Sequence, residues 1–121
     1  MIRLQNGFLS LCVSERGAEM QSLSCRGVEY LWGGDPKYWA DRALTIFPYV
    51  ARLTNDSYLL EGKLYSMGIH GFASSSEFSV AERTEDSVTL LLTDSEEPRR
   101  QYPFHFAFSV RYALEKNTLF I

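Results

Sequence analysis

The feature that most constrains the fold is a strict alternation of side-chain character near the carboxyl end of the chain. Apolar side chains take every second position from 106 to 114, and small or polar ones lie between them. Successive side chains of a β-strand point to opposite faces, so this segment predicts a strand with one apolar face. The apolar set is Phe106, Phe108, Val110, Tyr112 and Leu114, and the other face holds His105, Ala107, Ser109, Arg111 and Ala113.

Shorter runs of period two, separated by turn residues, predict the other strands. Hairpins are expected at Arg26-Gly27, Glu61-Gly62 and Glu85-Asp86, a polar loop at residues 95–101, and a helical turn at residues 36–40. About eight short strands at regular spacing favour an all-β antiparallel β-sandwich. The predicted strands are residues 8–13, 21–25, 28–32, 58–60, 63–65, 78–83, 88–93 and 106–114.

Composition excludes several classes of partner. The net charge is −3 and the basic pair Arg99-Arg100 follows two glutamates, so no basic surface for nucleic acid is expected. No apolar run approaches the roughly 20 residues that span a bilayer, and the amino terminus has no secretory pattern. The sequence therefore predicts a cytoplasmic protein, with no membrane partner, whose Cys12 and Cys25 are buried or half-buried free thiols rather than metal ligands.

The last residues suggest a strand that has only begun. A turn at residues 115–118 is followed by three apolar residues, 119–121. We therefore expect residues 1–121 to form a single but incomplete domain, the amino-terminal part of a larger sandwich. A final strand that pairs through only three residues is the alternative. Open sheet edges predict self-association, or pairing with the remaining carboxyl-terminal part.

The strongest candidate for chemistry is His70. It lies between Gly68 and Gly71, which let the backbone turn sharply and approach a ligand closely. A neutral imidazole there can accept or donate a proton near neutral pH. A histidine that merely hydrogen-bonds its own loop is the competing interpretation. His105, in contrast, is expected to be a solvated strand residue.

Arg52 is the second candidate. It follows an apolar run, so its charge must find water, a carboxylate or a ligand oxygen. Its planar guanidinium suits ligand hydroxyls, although a structural salt bridge is equally compatible. Trp32 and Trp39 flank a Gly-Gly-Asp-Pro loop, where they offer either stacking faces for a sugar or core packing.

These residues belong to an ordered set of segments that resembles the amino-terminal part of aldose 1-epimerases (galactose mutarotases), and most closely the bacterial LacX-like branch. The resemblance covers essentially the whole chain and implies a galactose mutarotase-like supersandwich. The segments are GAEMQSL at 17–23, YLW at 30–32, FPYVARLTND at 47–56, EGKLY at 61–65, HGFA at 70–73 and YPF at 102–104.

The resemblance implies an isomerase of carbohydrate metabolism that interconverts the α and β anomers of free hexoses by general acid–base catalysis, with no metal or other cofactor. It implies that Arg52 binds the sugar and that His70 is the first of two active-site histidines. The second histidine and the catalytic glutamate have no counterpart here, so this chain is expected to be inactive alone. A non-catalytic carbohydrate-binding or interaction module on the same fold is the alternative.

Two positions depart from the family pattern. Ala51 stands where family members typically have glycine before the arginine. Ser74, Ser75 and Ser76 follow the HGFA segment, where LacX-like relatives usually continue with an arginine and further polar residues. The serine run weakens any inference about the substrate, including whether a phosphorylated sugar is accepted.

Overall fold

A computed structural model describes all residues from 1 to 121. Ten antiparallel strands form three sheets, in the orders β1-β2-β3-β4, β10-β9-β8-β7 and β5-β6. The elements are β1 (Ile2–Gln5), β2 (Leu9–Val13), β3 (Met20–Cys25), β4 (Val28–Glu29), β5 (Ser57–Leu60), β6 (Lys63–Ser66), β7 (Ser79–Arg83), β8 (Ser87–Thr93), helix α1 (Glu96–Gln101), β9 (Ala107–Glu115) and β10 (Thr118–Phe120).

One hydrophobic core joins the two four-stranded sheets. Alternate residues of β1 and β2 point inward from one sheet, and alternate residues of β8 and β9 from the other. The buried Tyr112 side chain links the layers, because its hydroxyl donates to the Ala18 carbonyl at 2.7 Å. The strand side chains in this core are Ile2, Leu4, Leu9, Leu11, Val13, Val88, Leu90, Leu92, Tyr112 and Leu114. The arrangement is a β-sandwich, which confirms the predicted fold class.

All three predicted hairpins are present. β3 and β4 pair across Arg26-Gly27, and β5 and β6 across Glu61-Gly62, with a positive φ at each turn residue. β7 and β8 pair around residues 84–86, with a bulge at Val80/Glu82. The strand predicted at 106–114 corresponds to β9, and Thr118, Leu119 and Phe120 pair with it as β10, which leaves Ile121 outside the strand.

The predicted loop at residues 95–101 is wrong: this segment forms α1. Glu96 and Glu97 lie in its first turn and Arg99 and Arg100 in its last, which suits the helix dipole. Arg100 also pairs with Glu96 at 2.6 Å across one turn. The helix was not predicted because its sequence, five polar residues and Pro98, has no apolar periodicity.

One strand was not predicted, and another was predicted too long. The first strand, β1, was missed because it contains only two inward residues, Ile2 and Leu4. The strand predicted at 28–32 stops at Glu29, whose carboxylate accepts from the Leu23 and Leu31 amides at 2.8 and 3.0 Å. This side chain takes the place of a strand partner. The Ser22 hydroxyl, which donates to it, and these amides lower the pKa of Glu29.

The segment at 36–40 forms a single hydrogen-bonded turn, as predicted. The Asp35 carboxylate accepts from the Lys37 amide at 2.9 Å, as expected of a capping residue. The Asp35 carbonyl accepts from the amides of Tyr38 and Trp39 at 3.0 and 2.9 Å. No helix in the chain is long and apolar enough to cross a bilayer.

Candidate active site

Two loops that cross above an aromatic cluster build the site. The first consists of residues 47–52, which come between β4 and β5 in the chain, and the second consists of residues 68–73, which follow β6. The Phe47 carbonyl accepts from the Phe72 and Ala73 amides at 3.0 and 3.3 Å. The Phe47 ring stacks on Phe108 of β9 at 4.5 Å and packs edge-on against Phe72 at 5.9 Å. The loops are thereby fixed to each other and to the core.

Gly71 allows the two backbones to approach this closely. Its φ is +76°, and a β-carbon at this position would lie 2.2 Å from the Phe47 carbonyl oxygen and 2.5 Å from Pro48 Cδ. Any other residue would force the loops apart. Tyr49 adds a side-chain tie, because its hydroxyl donates to the carbonyl of Gly68.

His70 is held at this crossing by two hydrogen bonds with Ala51. The Ala51 amide donates to His70 Nδ1 at 2.9 Å, and the His70 amide donates to the Ala51 carbonyl at 2.9 Å. Both residues have a positive φ, 72° for Ala51 and 60° for His70. The imidazole is therefore positioned by the residue that immediately precedes Arg52.

The half-buried His70 side chain lines an open cleft of about 520 Å³. Its walls are polar and come from four separate parts of the chain, so side chains far apart in sequence face one space. The residues of the cleft are Ser14, Arg16, Glu19, Gln21, Asp41, Leu44, Ile69, His70, Ser74 and Ser75. Hydroxyl, carboxylate, amide and guanidinium groups around one imidazole can bind a small polar ligand.

Within the cleft, Glu19 holds the wall together. One of its oxygens accepts from the Arg42 and Ala43 amides at 3.1 and 3.0 Å, and the other accepts from Gln21 Nε2 at 2.9 Å. Arg16 and Asp41 make no salt bridge and no side-chain hydrogen bond within the chain. These two charges are therefore the polar groups of the cleft best able to meet a ligand.

Arg52 directly follows Ala51, the residue that bonds to His70, but the Arg52 side chain is not part of this cleft. The guanidinium is 61% exposed and pairs with Asp56 at 3.1 Å. Asp56 ends a short 3-10 turn, Thr54–Asp56, in which Asn55 has a positive φ. An exposed pair of this kind stabilises a protein by about 0–1 kcal/mol, so a ligand can compete for the guanidinium at little cost.

His105 differs from its prediction as a strand residue. It precedes β9, and its 85% exposed ring contacts Asp94 Oδ2 through Nδ1 at 2.9 Å. That contact lowers the pKa of Asp94. The Asp94 carboxylate also accepts from the Phe106 amide at 3.2 Å, which fixes the chain ahead of the strand, and β9 begins only at Ala107. His105 has no place in the cleft.

The tryptophans and cysteines also have definite places. Trp32 and Trp39 are 42% and 53% exposed, so the core-packing interpretation is wrong for both. Trp32 Nε1 donates to the Trp39 carbonyl at 2.8 Å, which ties the ends of their loop. Cys12 and Cys25 are free thiols and half-buried, within the predicted range of buried or half-buried. No group of three His, Cys, Asp or Glu side chains is arranged to hold a metal ion.

Sequence patterns did not reveal Arg16, Asp41, Ser74 and Ser75 as cleft residues. Gly17 gives the one local signal, because it marks a close approach of two segments. Its φ is +69°, and a β-carbon there would lie 2.7 Å from the Ser74 carbonyl oxygen. This approach brings Arg16 next to the serine run, and only the folded chain shows it.

Solved structures define the class to which this architecture belongs. The galactose mutarotase related enzyme from Lactobacillus acidophilus matches 98% of this chain with a TM-score of 0.95 and 41% identity. A galactose mutarotase-like protein from Lactobacillus casei ATCC 334 matches 98% with a TM-score of 0.95 and 34% identity. The chain covers 40% and 41% of those two proteins. It has the galactose mutarotase-like β-sandwich fold.

The family is equally clear. The family model described as aldose 1-epimerase matches residues 1–121, and the chain belongs to that family. It is 32% identical to the chromosomal protein LacX of Lactococcus lactis subsp. lactis over 98% of its own length. It spans 42% of that relative, and so corresponds to the amino-terminal part of a family member.

Proposed function

We propose that this chain supplies the Arg52 and His70 side of the sugar site in an aldose 1-epimerase-like protein. The reaction is the interconversion of the α and β anomers of a free hexose, without metal or organic cofactor. One observation carries the proposal: His70 is held by Ala51 at the edge of an open, polar cleft, and Ala51 is followed directly by Arg52. Family membership supplies the reaction class.

Anomerisation requires two proton transfers on one sugar. A base removes the proton of the anomeric hydroxyl, an acid protonates the ring oxygen, the ring opens, and the aldehyde closes again on the other face. Both groups must lie within hydrogen-bond reach of the oxygens that they serve. In residues 1–121 the cleft holds one histidine, and the second histidine of the chain, His105, is bound to Asp94 outside it. We therefore propose that a partner segment supplies the missing acid and base.

The test uses a chimera in which this chain replaces the matching 40% of the Lactobacillus acidophilus protein. Mutarotation of freshly dissolved α-D-galactose is followed by polarimetry. His70→Ala is expected to lower kcat/KM by roughly tenfold or more, because a group that acts on the reacting oxygens is lost. His105→Ala is the matched control and is expected to leave the rate unchanged. Equal rates in the two variants would remove His70 from the site.

Arg52 is tested in the same chimera. Asp56 occupies only Nη1 of the guanidinium, so further donors remain for sugar hydroxyls. Arg52→Ala is expected to raise KM by roughly tenfold, since one charge-assisted hydrogen bond contributes about 1.5–3 kcal/mol. Arg111→Ala on the exposed side of β9 provides the control. A KM that stays the same in Arg52→Ala would show that Arg52 serves only its pair with Asp56.

A non-catalytic carbohydrate-binding module is the second candidate. The single histidine of the cleft and its open polar walls favour it, since these can bind a sugar without completing the reaction. Titration of the chain with D-galactose, followed by the fluorescence of the exposed Trp32 and Trp39, separates the two functions. Saturable binding, together with a chimera that gives no mutarotation, would establish the binding module in place of the enzyme.

We further propose that the protein is cytoplasmic, that its ligand is a hexose, that residues 1–121 form a single incomplete domain, and that the chain associates through open sheet edges.

A further inference from the structure

The hydrogen bond at His70 determines which ring nitrogen carries the proton. The Ala51 amide donates to Nδ1 at 2.9 Å. A backbone amide is a donor only, so Nδ1 must present a lone pair. A neutral imidazole has one N–H, which is consequently on Nε2.

The local backbone holds the ring in this arrangement. The His70 amide returns a hydrogen bond to the Ala51 carbonyl at 2.9 Å, so the two residues are joined in both directions. Gly71 lies directly against Phe47 and Pro48, which leaves the loop no room to shift. A rotation of the ring that brought Nε2 to the Ala51 amide would point Nδ1 away and break the present bond.

We propose that the Ala51 backbone amide locks His70 in its Nε2–H tautomer, and that His70 serves the ligand as a hydrogen-bond donor rather than as the proton-accepting base. Ala51 is then a positioning residue. Nε2 makes no hydrogen bond within the chain, and His70 lines the cleft, so this donor is free for a ligand oxygen. The identity of that ligand as a hexose rests on the proposed function, whereas the tautomer does not.

The donor role limits what His70 can do in the reaction. To take up a proton at Nδ1, the ring would have to give up its bond with Ala51, and its other nitrogen already carries a hydrogen. Three charged groups share the cleft with it: Arg16, Glu19 and Asp41. Glu19 is engaged at both oxygens, and Arg16 is itself a donor. A group other than His70 must therefore remove the proton from the anomeric hydroxyl of the sugar.

The other histidine, His105, provides an internal control because it is expected to be in the opposite tautomer. His105 Nδ1 lies 2.9 Å from Asp94 Oδ2. An ionised carboxylate only accepts, so Nδ1 of His105 must carry the hydrogen. The chain is thus expected to contain two neutral histidines in opposite tautomers.

The direct test is nitrogen NMR of the 121-residue chain labelled with 15N-histidine, at a pH at which both rings are neutral. Correlations across two bonds between ring protons and nitrogens distinguish the tautomers, and the His105→Ala variant assigns the signals. The expected result is a proton on Nε2 of His70 and on Nδ1 of His105. A proton on Nδ1 of His70, or the averaged pattern of an unrestrained imidazole there, would overturn the proposal.

Two substitutions in the chimera test the donor role by activity. The glutamine amide places an N–H near the position of Nε2, whereas the asparagine amide places its group near Nδ1. His70→Gln is expected to be roughly tenfold more active than His70→Asn, because one donor hydrogen bond is restored. It is also expected to keep the acidic limb in the pH dependence of the mutarotation rate that the unsubstituted chimera shows. If His70→Gln is as slow as His70→Ala and the acidic limb disappears, His70 is a titrating acid or base. The NMR result is independent of activity, so failure of the proposed function is distinguishable from failure of the tautomer.

Discussion

Ala51 and His70 both adopt the left-handed backbone conformation, which residues with a β-carbon rarely occupy. The conformation is held because each residue gains a hydrogen bond from the other. Steric crowding of the β-carbon costs roughly 1–2 kcal/mol at each position. The site therefore contains strained backbone next to its candidate catalytic group, as functional loops often do.

The strain at Ala51 leads to a prediction. Ala51→Gly relieves the steric cost while keeping the amide that bonds to His70, so the free energy of unfolding is expected to rise by roughly 0.5–1 kcal/mol. Urea denaturation measures it. Ala107→Gly in the exposed part of β9 is the control, and there the extended backbone gains nothing, so a loss of up to about 1 kcal/mol is expected. A loss at Ala51 as large as that at Ala107 would contradict the strained conformation.

The buried Tyr112 leads to a prediction about how the free energy of unfolding changes at alkaline pH. Burial raises the pKa of Tyr112 to about 12. In the unfolded chain the pKa of a tyrosine is about 10, so between these values the unfolded state binds fewer protons than the folded state. The free energy of unfolding is therefore expected to fall as the pH rises from about 10 through about 12.

Tyr112→Phe tests this dependence. The variant is expected to lose about 1 kcal/mol at neutral pH, because the bond to the Ala18 carbonyl is removed, and to show a shallower alkaline decline. Tyr58, whose pKa is also raised by burial, accounts for the remaining decline. Tyr38→Phe, at an exposed position, is the control and is expected to match the wild type. An alkaline decline of wild-type steepness in Tyr112→Phe would contradict the assignment.

At the scale of elements, the site depends on two loops that interlock at Gly71. Gly71→Ala is expected to lower the free energy of unfolding by roughly 3 kcal/mol or more, since the new β-carbon overlaps the backbone of Phe47. Gly62 in the β5–β6 turn is a matched control, with a φ of +77° and no atom within 4 Å of an added β-carbon. Gly62→Ala is expected to cost only about 1 kcal/mol. Both losses are measured by thermal and urea unfolding. An equal loss in Gly71→Ala and Gly62→Ala would contradict the close contact between Gly71 and Phe47.

Sequence patterns predicted the elements wherever the local signal was strong. The alternating apolar positions from 106 to 114 and the glycine turns of β3–β4 and β5–β6 determine strand and hairpin directly. The helix α1 was missed because charge pairs, not an apolar stripe, stabilise it. The strand predicted beyond Glu29 ended early because a single carboxylate captures the backbone amides.

The candidate site was predictable only in part. Arg52 and His70 were proposed because each stands out in its own segment, and the fold places His70 but not Arg52 in the cleft. The cleft around His70 was not, because Arg16, Asp41 and Ser74 come together only when the two turns near Gly17 and Gly71 close on other parts of the chain. Likewise, the amide of Ala51 has no sequence pattern that marks it as the partner of an imidazole.

At the scale of the whole molecule, much apolar surface is left uncovered. Only 17 of the 121 residues are buried. Leu59 and Leu64 face each other directly across β5 and β6 and are 72% and 63% exposed. The edge strand β10 ends at the exposed Phe120. Open edges and apolar faces favour pairing with another chain.

Self-association is accordingly predicted for the isolated chain. Light scattering after size-exclusion chromatography is expected to give a mass above 13.9 kDa that increases with concentration. The double variant Leu59→Lys, Leu64→Glu is expected to shift the distribution towards monomer, because the apolar pair is replaced by opposite charges that remain compatible with the strand pairing. The substitution of exposed Glu82→Gln on β7 is the control. A wild-type chain that stays monomeric at all concentrations would contradict the prediction.

We propose that these residues hold one side of a sugar-anomerising site and need the other side to act. Polarimetry of α-D-galactose mutarotation tests it most directly, with the chain alone and the chimera with the Lactobacillus acidophilus protein measured beside the parent of that chimera. We expect the chain alone to leave the spontaneous rate unchanged and the chimera to accelerate it. Acceleration by the chain alone, or a folded chimera that is inactive beside an active parent, would contradict the claim.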